Sequence, residues 1–209
     1  MKQILFSFLL LVFAVTTGLN AQDQYNKGME KAMKLWSEQK IVDASNLFER
    51  IATAEMDNWL PYYYVAMVNT TASFGEEDEK KLNLQLEKAK DYIAMAKNIS
   101  PDNAEILVLE AMMNTAWIAF DGATYGMALS GKNVQLYKKA AALAPENPRV
   151  VFGKAEWDMG AARYFGKDTA PYCKGIEKSL ELFATFKPES EFHPNWGQDR
   201  AEQVVKNCK

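Results

Sequence analysis

The chain is poor in the residues that build reactive centres. Its 209 residues contain one histidine, His193, and two cysteines, Cys173 and Cys208. That excludes the usual four-ligand soft-metal site and any hydrolase triad needing a histidine beside a nucleophile, and neither metal nor cofactor is expected. No Gly-x-x-x-x-Gly-Lys-Ser/Thr, Gly-x-Gly-x-x-Gly, Gly-x-Ser-x-Gly or His-Glu-x-x-His occurs, so no phosphate cradle, nucleophile elbow or zinc-protease motif is readable and no catalytic residue is nominated. There is no basic excess: 24 Lys and Arg face 27 Asp and Glu, which argues against a nucleic-acid partner. Only 7 prolines and 11 glycines occur against 48% hydrophobic residues, so the chain is neither disordered nor collagen-like. No alternating run long enough for a strand is found.

Long apolar runs are confined to the start. Lys2 precedes Ile4 to Val15, then come Thr16-Thr17-Gly18-Leu19-Asn20-Ala21 and a charged chain. This is the layout of a secretory signal peptide over 1–21, cleaved after Ala21; an uncleaved anchor is the rival reading. No later run approaches the roughly 18 apolar residues of a spanning helix. The mature chain, 22–209, is expected to be exported, periplasmic or secreted, where Cys173 and Cys208 are free to pair.

What is present is a repeat. Pro101-Asp102-Asn103, Pro145-Glu146-Asn147 and Pro188-Glu189-Ser190 recur 44 and 43 residues apart, with Asp57-Asn58 one period earlier. Each reads as a turn ending in a residue suited to capping the next helix. Ala66, Ala111 and Ala155 recur at the same interval in the helix after each turn. A second helical stripe precedes each turn: Ala44, Phe48 and Ile51; Ala89, Ile93 and Ala96; Tyr137 and Ala140; Leu180 and Phe183.

Ala89-Ile93-Ala96-Pro101 has the second-helix spacing of the tetratricopeptide repeat family, and Asn133-Tyr137-Ala140-Pro145 and Ile176-Leu180-Phe183-Pro188 keep it with other residue types. The sequence resembles that family over residues 25–188, though its units are about ten residues longer. The excess is expected between paired helices, at Ser73–Lys81, Asp121–Gly131 and Gly166–Pro171. The resemblance implies an all-α solenoid of four helical hairpins (22–57, 58–101, 102–145 and 146–188) with a cap over 189–209, each hairpin hiding its neighbour's apolar face. Cys173 opens the last paired helix and Cys208 closes the cap. If these are antiparallel neighbours, about 20 Å and about 17 Å of helix bring both to one end, so a disulfide is expected.

In the resembling family the first helix of each pair lines a concave groove. That places Met33, Trp36, Tyr63, Met67, Met112, Thr115, Phe152 and Glu156 on the groove, unless they are core covered by the insertions. Methionine and aromatic side chains suit adaptable recognition. The leading expectation is therefore a non-enzymatic scaffold of the bacterial cell envelope that holds a protein or peptide partner. The alternative is a carrier of a small glycan or lipid ligand, or an envelope enzyme. Its pocket would lie under 121–131 and 166–171, among Trp117, Phe120, Tyr125, Trp157, Tyr164 and Phe165; a ligand-free spacer is a third possibility. The run Glu76-Glu77-Asp78-Glu79 reads as a solvated helix start rather than a calcium loop, and Phe192-His193-Pro194-Asn195-Trp196 as a rigid linker packed on the last repeat.

Overall fold

A computed structural model of the chain describes residues 22–208; the expected signal peptide lies outside the described residues. These are all-α: residues 22–37 form α1, followed by α2 (Ile41–Ala54), α3 (Trp59–Ser73), α4 (Glu79–Ile99), α5 (Ala104–Phe120), α6 (Gly122–Leu143), α7 (Pro148–Tyr164), α8 (Cys173–Thr185) and α9 (Gln198–Val205). No strand occurs among the described residues, and none of their helices is long and apolar enough to cross a membrane.

The turns are built as their residues dictate. Asn58, Asn103 and Asn147 each cap the following helix through a side-chain oxygen, accepting from Leu60 N, Glu105 N and Arg149 N. Such caps satisfy backbone donors that have no partner within the helix. Asp78 does the same for α4, accepting from Lys80 N and Lys81 N, so the acidic run is a helix start. Of the extra residues, those at 121–131 form no loop, whereas 165–169 leave the helix before a short 3-10 turn, Ala170–Tyr172. Asp121 accepts from Ala123 N and Thr124 N, and α6 starts at once, with Gly122, Gly126 and Gly131 facing open space. Where a helix face buries nothing, a glycine costs only its propensity, about 1 kcal/mol, and a strong cap offsets part of it.

Helices adjacent in sequence pack as antiparallel neighbours (α3 on α4, α5 on α6, α7 on α8), and α4 meets α5 as α6 meets α7. The alternate helices α3, α5 and α7 also touch in turn. The periodic alanines explain the close approach: Ala66 and Ala111 are wholly buried, and a Cβ on Gly175 of α8 would stand 2.7 Å from the Ala155 Cβ of α7. The helical stripes fill three clusters. The largest surrounds Phe48, Tyr63, Tyr64, Leu82, Leu86 and Leu109; a second joins Leu107, Tyr137 and Val150; a third joins Phe152, Met159, Ile176 and Phe183 to Ala201 and Val204 of α9.

Burial raises the phenols of Tyr63, Tyr64 and Tyr137 well above the ordinary tyrosine value, with Glu105 adding to the shift at Tyr63 and Tyr64 and Glu156 at Tyr137. The folded protein holds these groups neutral where the unfolded chain ionises them, at about pH 10. Stability should hold below that pH and fall above it, by about 1.4 kcal/mol per pH unit for each phenol. Urea midpoints across the alkaline range, beside phenolate absorbance of the native protein, measure both sides of this linkage. A flat midpoint through the unfolded titration contradicts it.

Candidate functional site

The helices α3, α5 and α7, which touch in turn, are covered differently at their two ends. The N-terminal ends are covered by the chain itself. After α8 the backbone leaves the helical hairpins as an extended strap, residues 186–197, and runs back over α3. Phe192 is buried with its ring edge-on to Tyr25 at 5.7 Å, and its carbonyl accepts the Tyr64 hydroxyl at 2.9 Å. Trp196 Nε1 donates to the Tyr63 hydroxyl at 2.8 Å, and the Trp59 ring stands edge-on to His193 at 5.5 Å. The linker was expected to rest on the last repeat. Phe192 and His193 rest on α1 and α3 instead, where Tyr25, Tyr64 and Trp59 meet them, while Trp196 bonds Tyr63 and also packs against the second cluster. Gly197 then turns the chain into α9 at φ 105°, a left-handed conformation that glycine adopts without strain.

Beneath the strap lies a buried ion pair. Arg149 is wholly buried and binds Glu105 side-on, Nε to Oε2 and Nη2 to Oε1 at 2.7 Å each. Asn147 Nδ2 also donates to Glu105, and the Phe186 ring covers the guanidinium at 4.4 Å. Glu105 and Arg149 stand 44 residues apart, at one register position of successive units. Opposite charges at that offset were the signal in the sequence, and the motif reading passed over them.

An open cavity lies at the C-terminal end of α3. Of about 380 Å³, it is lined by Met33, Trp36 and Ser37 of α1, Gln39 of the turn, Ile41 of α2, and Thr71 and Ala72 of α3. Its walls are an indole, a thioether and a branched aliphatic, with polar groups at the rim. Of the residues expected on the groove, Met33 and Trp36 line this cavity. Tyr63 and Met67 are buried in the largest cluster, with Met112 half-buried against it. Thr115 donates to the Ala111 carbonyl and accepts from Asn133. Phe152 is buried in the third cluster, and Glu156 is paired with Arg200 of α9 at 2.8 Å.

The second aromatic group is not gathered into one pocket. Trp117 and Tyr125 pair at 4.7 Å, Tyr164 and Phe165 pair at 5.1 Å with both rings largely exposed, and Trp157 lies against the second cluster. Cys173 and Cys208 do come together, with Cα atoms 5.7 Å apart, within the range of a disulfide. His193 is held at both ring nitrogens, Nδ1 by Ser190 at 2.7 Å and Nε2 by Glu189 at 3.2 Å. Among the described residues no three His, Cys, Asp or Glu side chains converge as a metal site.

No family model and no curated protein matches the chain. Among solved structures it is similar to the HusA haemophore from Porphyromonas gingivalis, with a TM-score of 0.77 and 22% sequence identity, over 88% of this chain and 92% of that one. The expectation of a scaffold holding a protein or peptide partner is corrected on this finding, since the solved structure that shares the fold is a haemophore. The strap gives the physical reason: residues 186–197 occupy the face at Trp59, Tyr63 and Tyr64 along which an extended peptide would have to run.

Proposed function

We propose that this protein is an exported, non-enzymatic carrier of a flat, largely apolar small ligand of the haem class. The observation that carries the reading is the fold likeness to a haemophore along nearly the whole of both chains. The open cavity supports it. Burying one face of a ring against Trp36, Met33 and Ile41 supplies apolar area and stacking, at about 25 cal/mol per Å² plus about 0.5–1.5 kcal/mol for an aromatic pair. The cavity is smaller than a tetrapyrrole, so the ring's remaining edge would lie over the rim. With both nitrogens of the sole histidine engaged, affinity would come from the ring rather than from an imidazole on iron.

Three further features belong to this reading. The hairpins form a repeat of the tetratricopeptide kind, supported by the 44-residue recurrence of buried alanines and the contacts of α3, α5 and α7 in turn. Residues 1–21 direct export. Cys173 and Cys208 are then oxidised, closing a loop of 35 residues and adding about 2–4 kcal/mol. Mass measurement of the unreduced exported protein should find two hydrogens fewer than the dithiol; two free thiols contradict the bond.

Titrating residues 22–209 with haemin and with metal-free protoporphyrin tests the function, read by tryptophan quenching and the shift of the porphyrin's visible band. Saturable binding of both is expected. Trp36→Ala should weaken it at least tenfold, about 1.4 kcal/mol, while Tyr164→Ala leaves it unchanged. Absence of saturable binding overturns the carrier; loss in Tyr164→Ala with Trp36→Ala unaffected moves the site to the exposed aromatic pair.

A further inference from the structure

A second cavity, of about 410 Å³, lies at the opposite end of α3 from the first, where the strap passes the N-termini of α5 and α7. Trp59 and Pro194 form apolar walls, Lys187 stands on the strap, and Arg149 and Glu105 line the interior. From Trp59 to Thr71 the helix rises about 18 Å, so the two cavities are separate.

The cavity holds more donors than its carboxylates use. Glu105 is spent on Arg149 and Asn147, Asp102 is paired with Lys139 at 3.0 Å, and Glu189 with His193. Lys187 makes no ion pair among the described residues. Arg149 is wholly buried, and its Nη1, on the edge of the guanidinium away from the bidentate pair, has no hydrogen-bond partner. A buried charged donor left without an acceptor is costly, and native structures seldom leave one so. The capped first turns of α5 and α7 add partial positive charge at the same place.

We propose that this cavity binds a small dicarboxylate, one carboxylate on Arg149 Nη1 and the other on Lys187, with its aliphatic spacer between Trp59 and Pro194. The assignment is independent of the ring ligand. Two cations and two apolar walls in one lining suit two anionic ends joined by methylenes. A single compact anion brings no spacer for Trp59 and Pro194 to hold.

Calorimetry of residues 22–209 with succinate and malonate, and with inorganic phosphate and acetate for comparison, tests it. One saturable dicarboxylate site is expected, weakening at least tenfold in Lys187→Gln, whose exposed side chain leaves the fold intact by circular dichroism, and lost in Arg149→Lys. Porphyrin binding by Lys187→Gln should equal that of the unaltered protein, which separates failure here from failure of the carrier reading. No saturable heat with either dicarboxylate, binding indifferent to Lys187→Gln, or phosphate bound as tightly as succinate would each overturn the assignment.

Discussion

Arg149→Met should cost about 3–5 kcal/mol of stability, the penalty for removing one member of a buried ion pair. Its partner explains the size. Glu105 is almost wholly buried, and without the guanidinium its two oxygens keep only the Asn147 amide as a side-chain donor. The carboxylate would then have to be desolvated without compensation or take up a proton. Glu105→Leu should cost a similar amount by orphaning Arg149. The double variant, with both groups replaced by aliphatics of similar volume, should recover most of the loss, because a well-packed apolar pair is often as stable as the ion pair it replaces. Urea unfolding of the four proteins gives the coupling directly. A loss under about 1 kcal/mol for either single change would mean that the pair behaves as a solvated surface bridge. Proximity to the strap gives a second reading: Arg149 lies under the Phe186 ring and its Cγ lies 3.7 Å from where a Cβ on Gly197 would sit, so the single variants should also loosen residues 186–197.

That strap marks where the sequence stops being readable. The hairpins are legible because each element carries its own local signal. Asn103 and Asn147 announce the starts of α5 and α7, and Ala89, Ile93 and Ala96 place one face of α4 three and four residues at a time. Met33 and Trp36, three residues apart on one face of the first helix, line an open cavity together. Residues 186–197 have no such period. Their course depends on partners more than a hundred residues away, the hydroxyls of Tyr63 and Tyr64, and nothing in Phe192 or Trp196 names those partners in advance. The peptide-groove expectation shows the same limit: register says which residues share a face with Tyr63 and Met67, but it is silent on what covers them, and both are buried. The insertion at 121–131 is helical for a different reason: Gly122, Gly126 and Gly131 face open space on α6, and the cap at Asp121 starts the helix at once.

Phe192→Ala should destabilise the protein by about 3 kcal/mol, near the lower end for a buried phenylalanine, because a side chain on a strap can be partly replaced by movement of the strap itself. Adding Trp196→Ala removes the donor to Tyr63, leaving that buried hydroxyl without the indole. The two changes share one segment and should be less than additive, since once Phe192 lets go the strap no longer holds Trp196 in place. Limited proteolysis is the sharper measurement. In the unaltered protein Phe192 and Pro194 are buried and cleavage between α8 and α9 should be slow. In the double variant it should be fast while α1–α8 persist as one resistant fragment, because the large cluster around Phe48, Leu82 and Leu86 does not need the strap to exclude water. The freed inner face would then expose Tyr63 and Tyr64 and take up an apolar dye. Cleavage within α3 or α5 at the same rate would show instead that the strap is an integral layer of the core, without which the hairpins beneath it do not hold.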